Sequence, residues 1–175
     1  ITAESAAPSY EWLSPEQLAG DEALLRQVFG LLVLAHYQTR PEDLRIMLDE
    51  QNIRIGVLRK GTVVIGVMLC VEEGGLQDEA LIQAIVAGQR RPQGHLVPQA
   101  LASQSGLPQA MPLRYLRVMR IAVHPSMQRQ GLGLSMLQGL SKEFDAGPYD
   151  VLATSFGATT ELLKFWQRAG WSVVR

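Results

Sequence analysis

The sequence predicts an α/β fold, with a mixed, mostly antiparallel central sheet flanked by helices and a helical insert before the central strand. Two observations lead to this prediction. First, β-branched apolar stretches at residues 53–58 and 62–71 are joined by Arg59-Lys60-Gly61, a pattern typical of a β-hairpin. Second, strand-like stretches at residues 113–124 and 150–156 alternate with helical periodicity in the C-terminal part of the chain.

Composition limits the classes of protein to consider. The chain has 175 residues, of which 47% are hydrophobic and 19% charged, so it can bury a sizeable core. Its net charge of −1 gives no overall attraction to nucleic acid, and a polyanionic partner would need a local basic patch. The lone Cys70 excludes an internal disulfide framework and fits a reducing cytoplasm. Residues 63–71, the longest apolar stretch, fall short of the roughly 20 needed to cross a bilayer, so we expect no membrane partner.

The domain organisation is predicted to be simple. Residues 1–13 are expected to form an N-terminal arm, and residues 14–175 a single domain. The sequence begins without Met and ends directly after residues 171–174, which are strand-like. We therefore expect the chain to be truncated at both ends relative to a longer parent.

Helices open the predicted domain. Ser14 suits an N-cap and Pro15 the first helical position, so a helix is expected to begin there. The apolar periodicity continues to about Tyr37, with Gly20 as a weak point or a break. A short second helix is predicted to start near Thr39.

The predicted insert spans about residues 75–112. Helical periodicity covers residues 76–86 and 96–103, and a basic loop at residues 88–95 separates the two helices. Residues 104–112 are rich in Ser, Gly and Pro, which predicts a linker or a lid.

A strand, a glycine-rich turn and a helix follow each other in residues 118–137. The apolar strand is ended by His124-Pro125, because proline has no N–H for a ladder. Residues 128–133, reading QRQGLG, then lead into a helix whose leucines recur at helical spacing. This geometry directs free backbone N–H groups and the positive end of a helix dipole toward an anion. The sequence therefore predicts a phosphate-binding turn.

This turn is neither a Walker loop, which needs Gly-Lys-Ser/Thr, nor a dinucleotide fingerprint, which needs G-x-G-x-x-G. Gln/Arg-x-x-Gly-x-Gly/Ala after a strand ending in Val-His-Pro resembles motif A of the GNAT acyl-CoA transferases. The resemblance implies the GNAT fold, with an insert longer than most members carry. It also implies that acetyl-CoA is the cofactor, with the pantetheine held by the strand backbone and the pyrophosphate by the turn. The implied acetyl-CoA residues are Ile121, Ala122, Val123, Gln128, Arg129, Gln130, Gly131, Leu132, Gly133 and Leu134. Glu161, which opens the last predicted helix, is a further candidate cofactor contact, and the alternative is an acid favoured at a helix N-terminus.

Further motifs narrow the resemblance within this class. Residues 34–44 (LAHYQTRPEDL), 91–101 (RPQGHLVPQAL) and 119–125 (MRIAVHP), with SFG at 155–157, resemble the acetyltransferase domain of tRNA(Met) cytidine acetyltransferases. That family implies transfer of acetyl to the N4 amine of the wobble cytidine in elongator tRNA(Met). It also implies a helicase-like module that uses ATP or GTP and a tRNA-binding region, both outside this sequence. The implied partners are therefore the tRNA and those modules.

His36 is the first choice for the general base. Its Ala-His-Tyr context matches the family motif, and an imidazole titrates near neutrality; the alternative is a histidine favoured at a helix C-terminus. Tyr37 could donate a proton to the leaving thiolate or simply pack. One departure concerns the last helix, where most GNAT enzymes carry a catalytic tyrosine and an earlier asparagine. Trp166 and Thr159 stand there in this sequence, and an indole N–H is too weak an acid for the task.

Candidate RNA contacts are Arg90, Arg91 and His95 in the basic loop, with a solvated loop as the alternative. The three arginines at positions 114, 117 and 120 could meet RNA or CoA phosphates, or could pair ordinarily on the surface. No metal site is predicted. Two other functions remain open: a GNAT enzyme that acetylates a protein or small-molecule amine, and an acyl-CoA-binding module without catalysis.

Overall fold

The computed structural model describes residues 7–35, 45 and 48–174, and its elements confirm the predicted mixed α/β architecture. The strands are β1 (Ser9–Leu13), β2 (Ile53–Lys60), β3 (Val63–Gly74), β4 (Arg114–Val123) and β5 (Val151–Thr154). The helices are α1 (Pro15–Gly20), α2 (Glu22–Ala35), α3 (Glu79–Val86), α4 (Leu96–Gln104), α5 (Leu132–Ala146) and α6 (Thr160–Arg168). Short 3-10 turns occur at Pro108–Ala110 and Pro125–Met127.

The described strands form one five-stranded sheet in the order β1-β2-β3-β4-β5. The pairs from β1 to β4 are antiparallel, and β5 runs parallel to β4, so the sheet is mixed and mostly antiparallel as expected. The structure differs from the arm predicted for residues 1–13. Ser9–Leu13 pair with β2 as an edge strand, because Leu13 is buried and its neighbours hydrogen-bond along the ladder.

Each face of the sheet is covered by different helices. On one face, which we call the α2 face, Val67, Leu69 and Val71 pack with apolar residues of α1 and α2. On the other, the α5 face, Met68 and Cys70 pack against α5 and α6. This division follows from the alternation of side chains along β3. The break at Gly20 is confirmed, since α1 ends there and α2 begins at Glu22.

The central strand β4 carries an irregularity and then separates from β5. Leu69 lies opposite Arg120 and Cys70 opposite Val118, so Met119 is an extra residue that forms a β-bulge. The ladder between β4 and β5 ends at the pair Val118–Thr154, whereas β4 continues to Val123. The two parallel strands therefore part after Val118, and an opening forms between them.

The helical insert is confirmed and has a small core of its own. Ile82, Ile85, Ala102 and Met111 form a buried cluster between its helices. Residues 104–112, predicted as a linker or a lid, connect α4 to β4, and Met111 at their end is fully buried within this cluster, which fits a linker and not a lid. The backbone of the segment is fixed as well, since the N–H of Leu76 donates to the carbonyl of Met111 at 3.1 Å.

Two further expectations differ from the structure. Residues 171–174 do not form the predicted last strand, because among the described residues no strand lies beside them to share a ladder. Trp171 nevertheless packs on Trp166, with ring centroids 4.8 Å apart. Strand β3 also continues to Gly74, beyond the stretch predicted at residues 62–71, so Glu72 and Glu73 lie within the sheet. The second helix expected near Thr39 starts outside the described residues.

The contact between β1 and α5 gives a first prediction on stability. A Cβ added at Gly139 of α5 would lie 2.4 Å from Cδ1 of Tyr10. We expect Gly139→Ala to lower the free energy of unfolding by about 1–3 kcal/mol, because the tyrosine ring must move. The matched control is Gly30→Ala in α2, where nothing lies within 4 Å of the added Cβ. That change should stabilise by about 0.5–1 kcal/mol. Urea unfolding measures both, and equal shifts would contradict this packing.

Candidate active site

The turn between β4 and α5 is fixed by local hydrogen bonds. The N–H of His124 donates to the carbonyl of Ile65 on β3 at 2.9 Å, and the N–H of Ser126 donates to Nδ1 of the same histidine at 3.3 Å. Gln128 reaches back, with its Nε2 donating to the carbonyl of Val123 at 3.1 Å. The His-Pro pair therefore has a structural role, and it sets the position of the turn relative to the sheet.

A row of unpaired backbone amides follows. The N–H of Ser135 is bonded to the carbonyl of Gly131 at 3.0 Å, as the first regular bond of α5. For the N–H groups of residues 129–134, no acceptor lies within the described part of the chain. Arg129 has φ 60 and Gly131 has φ 79, left-handed values that turn the chain tightly before the helix. These amides and the positive end of the helix dipole suit an anion, and we call residues 129–134 the cradle.

Gly133 lies in the cradle and also close to α6. A Cβ at this position would lie 3.1 Å from Cε2 of Phe165 on α6. Helix α6 is therefore placed directly against the start of α5. Glu161 lies one turn before Phe165, on the same side of α6 by helical spacing, and it is exposed. This geometry puts Glu161 on the side of α6 that faces the cradle, and its predicted contact with the cofactor stays a prediction.

The open edge of β4 supplies the second half of the site. The backbone N–H and carbonyl groups of successive residues in a strand point to opposite edges. His124 bonds to β3, so the backbone groups of Ile121 and Val123 point the other way, into the opening beside β5. The backbone of Ala122 points toward β3 by the same alternation, and its side chain is buried. Two of the three predicted strand residues thus direct polar backbone groups into the opening.

The closed end of the opening is lined by β5 and α6. Thr154 donates its hydroxyl to the carbonyl of Val118 at 3.2 Å, where the two strands part. Trp166 is buried and stacks on Phe156 with ring centroids 5.9 Å apart. The tryptophan at the position of the usual GNAT acid is therefore part of the core.

The predicted RNA residues divide into two groups. Arg90 and Arg91 are exposed and line a cavity of about 290 Å³ between α3 and α4. His95 is not a free loop residue, because its Nδ1 accepts a hydrogen bond from the N–H of Gly74 at 2.9 Å. It anchors the insert to the end of β3. The predicted catalytic residues His36 and Tyr37 lie outside the described residues.

A polar cluster on the α5 face lies apart from the cradle. Arg54 donates to Glu143 at 2.8 Å and to the hydroxyl of Tyr149 at 3.1 Å. Tyr149 in turn donates to Glu72 at 2.5 Å. Burial, followed by this hydrogen bond to the Glu72 carboxylate, raises the pKa of Tyr149. The cluster ties β2 and β3 to the C-terminal half of α5. Among the described residues, no group of His, Cys, Asp and Glu side chains could hold a metal ion.

Cys70 gives a second prediction. Its side chain is fully buried, and burial raises the pKa of the thiol to about 12. Because the folded pKa lies above the unfolded one, this thiol contributes stability below about pH 8.5 that is lost as the pH rises toward 12. We expect no reaction of Cys70 with iodoacetamide at pH 8 in the folded protein, and full reaction in urea, as measured by mass spectrometry. Rapid labelling of the folded chain would contradict this burial.

Sequence reasoning missed one buried pair, Glu73 with Arg117. Glu73 Oε1 lies 2.7 Å from the Nε of Arg117, and the carboxylate is fully buried. A signal was present, since Glu73 continues the alternation of Leu69 and Val71 on the α2 face. The pair was missed because two adjacent acids before two glycines are more typical of a solvated strand end.

The cradle, the parted parallel strands and the bulged central strand together define the class of acyl-CoA N-acyltransferase folds. The sequence profile of the family described as GNAT acetyltransferase 2 matches residues 27–151. The chain therefore belongs to this GNAT acetyltransferase family.

Relatives and solved structures agree with this assignment. tRNA(Met) cytidine acetyltransferase TmcA of Nitrosococcus halophilus is 47% identical over 94% of this chain, and TmcA of Haloferax volcanii is 44% identical over 95%. The matches cover 22% of each relative, so the chain spans about a fifth of their length.

Among solved structures, the aminoglycoside acetyltransferase AAC(6')-Iy with a bisubstrate analogue superposes with a TM-score of 0.61 at 10% identity, covering 97% of this chain and 94% of that one. A ribosomal-protein-alanine N-acetyltransferase from Brucella melitensis gives 0.57 at 16%, covering 97% and 99%. These two structural similarities concern the fold. No helix among the described residues is long and apolar enough to span a membrane.

Proposed function

We propose that this chain transfers acetyl from acetyl-CoA to the N4 amine of the wobble cytidine of elongator tRNA(Met), forming N4-acetylcytidine. The observation that carries the proposal is the 40–47% identity to TmcA relatives across 85–97% of the chain, joined to an anion cradle beside parted strands. Fold similarity alone would fit any acyl acceptor.

The chain's own residues suit the acetyl donor. The amides of residues 129–134 would bind the pyrophosphate. The backbone groups of Ile121 and the N–H of Val123, whose carbonyl is already bonded to Gln128, would bind the pantetheine where it can lie along the open edge of β4. Acetyl-CoA supplies an activated thioester carbonyl. Positive φ at Gly131 and the absence of side-chain atoms within 4 Å of its hypothetical Cβ leave room for a phosphate to approach the backbone.

In the proposed reaction, the N4 nitrogen forms a bond to the thioester carbonyl carbon and the C–S bond breaks. An amine conjugated with a pyrimidine ring is a poor nucleophile, so the reaction depends on close positioning and on removal of its proton. His36 is the proposed base that takes this proton, and Tyr37 the proposed donor to the thiolate. Trp166 is buried among aromatic rings, and its indole N–H is too weak an acid to protonate the thiolate. This favours a proton donor outside α6.

The proposal extends to the partners. Arg90 and Arg91 of the insert would contact RNA phosphates, since both side chains are exposed. Helicase-like and tRNA-binding modules in the remainder of a longer protein would supply ATP or GTP use and most of the RNA affinity. The cytoplasm is the proposed location, where tRNA and acetyl-CoA meet.

The test uses the full-length natural protein with acetyl-CoA and elongator tRNA(Met), followed by nucleoside analysis for N4-acetylcytidine. The matched control is the same tRNA with uridine at the wobble position, which has no N4 amine. We expect acetylation of the first tRNA and none of the second. Acetylation of small amines without acetylcytidine would reject the RNA substrate and favour a general amine acetyltransferase.

A further inference from the structure

The buried pair Glu73–Arg117 lies beside the point where β4 and β5 separate. Arg117 is opposite Ala153 on β5, one residue before the last ladder pair, Val118–Thr154. Its side chain is on the α2 face, because it lies opposite Val71 on β3 and Val71 packs in the α2 cluster. The pair is therefore at the closed end of the opening, where the acyl end of a bound donor would be presented.

Both oxygens of the Glu73 carboxylate accept hydrogen bonds. Its Oε1 accepts from the Nε of Arg117 at 2.7 Å, and its Oε2 accepts from the N–H of Val97 at 3.0 Å. Val97 is in the first turn of α4, a helix whose N-cap His95 makes no side-chain capping bond. Glu73 thus caps the insert helix from another strand and fixes the arginine at the same time.

The guanidinium of Arg117 is held at one nitrogen. Its side chain is 13% exposed, and Nη1 and Nη2 have no partner within the described part of the chain. Within the described residues, no acceptor competes with a ligand for either nitrogen. Since Glu73 fixes the plane of the group, the two nitrogens form a preoriented fork that matches paired oxygen acceptors.

The two faces of the sheet differ beside the opening. On the α5 face, Met136, Leu137 and Trp166 are buried in one cluster with residues of β3 and β4. On the α2 face, the buried cluster of α1 and α2 includes residues of β2 and β3 and, among the described residues, none of β4. The α2 face of β4, where Arg117 lies, is therefore the side that we assign to the acceptor.

We propose that Arg117 binds an oxygen of the acceptor nucleotide, either of its phosphate or of its base carbonyl, and that Glu73 is the positioning residue that orients it. The inference rests on the proposed function for the identity of the acceptor. It adds a specificity-determining contact, and it gives the helical insert a part in the site, since Glu73 joins Arg117 to α4.

The experiment compares Arg117→Met, Arg117→Lys and Glu73→Gln in the full-length natural protein. The matched controls are Arg54→Lys and Glu143→Gln, which disrupt a part-buried ion pair of the same kind on the opposite face. The probe is an anticodon stem-loop RNA with a cytidine at the wobble position. Fluorescence anisotropy with CoA present gives its Kd, and steady-state assays give kcat and the KM values for RNA and acetyl-CoA.

We expect Arg117→Met to raise the Kd and KM for RNA by about 10- to 100-fold, the loss of a charge-assisted contact, while the KM for acetyl-CoA stays unchanged. Arg117→Lys keeps the charge without the fork and should recover only part of the affinity. Glu73→Gln should raise the KM for RNA less than Arg117→Met does. The Arg54 and Glu143 controls should leave RNA binding unchanged even where they lower stability.

Salt dependence separates the two oxygen sources. If the partner is a phosphate, Arg117→Met reduces the slope of log Kd against log salt by about 0.7, whereas a base-carbonyl contact leaves the slope unchanged. An unchanged RNA Kd in Arg117→Met, an equal loss in the Arg54 control, or no binding of the probe by the wild type would overturn the inference. Arg117-dependent binding without any acetylcytidine would support it while rejecting the proposed reaction.

Discussion

Replacing His36 by alanine is expected to lower kcat for acetylcytidine formation by about 100- to 10,000-fold, the usual contribution of a general base. The affinity for acetyl-CoA should not change, because the cradle and the open edge of β4 are formed by residues 121–134. The measurement is a tRNA acetylation assay on the full-length natural protein, with calorimetry for acetyl-CoA.

The pH profile makes this test specific to a base. An imidazole accepts a proton only when it is neutral, so the wild-type rate should fall on the acid side of neutrality. In His36→Ala the rate should be low at every pH, without this decrease toward acid pH. Tyr37→Phe should retain the decrease. Full activity of His36→Ala would reject this residue as the base, and another proton acceptor near the opening would then have to be tested.

Replacing Gly131 by valine should weaken acetyl-CoA binding at least about tenfold, or about 1.4 kcal/mol. The residue has φ 79 and lies within the cradle as the N-cap of α5, so a branched side chain both strains the turn and occupies the space a phosphate would use. Calorimetric titration with acetyl-CoA measures the change directly.

Gly106→Val is the matched control for that experiment. Gly106 has φ 68, and no atom lies within 4 Å of its hypothetical Cβ, as at Gly131. It lies in the insert, away from the turn before α5. Both variants should lose similar stability in urea unfolding, and only Gly131→Val should lose acetyl-CoA affinity. Equal affinities in the two variants would show that the turn does not bind the donor.

The elements that the sequence predicted well have local causes. The β2–β3 hairpin follows from a short Gly-containing turn between two β-branched runs, and the cradle follows from a strand stop, two glycines and a helix. Such patterns depend on neighbours along the chain. The edge strand β1 and the missing strand at residues 171–174 depend on whether a distant partner strand is available, which local sequence does not encode.

The features of the candidate site also divide into those that local sequence predicts and those that depend on distant contacts. The glycine-rich turn before α5 could be predicted from the sequence, because its unpaired backbone groups are set by the turn itself; its contact with an acetyl donor stays a prediction. The burial of Glu73, its bond to Arg117 and the docking of His95 could not, since each joins residues that lie more than 20 positions apart.

The sequence by itself therefore determined the α/β class, the helical insert and the turn that suits an acyl-CoA pyrophosphate, because hydrophobic period and turn chemistry are local properties. Only the tertiary structure decided where β4 and β5 part, and that Glu73 and Arg117 form a buried pair beside that point. These features arise from strand register and from the packing of helices on opposite faces, and a residue's position in the chain does not specify them.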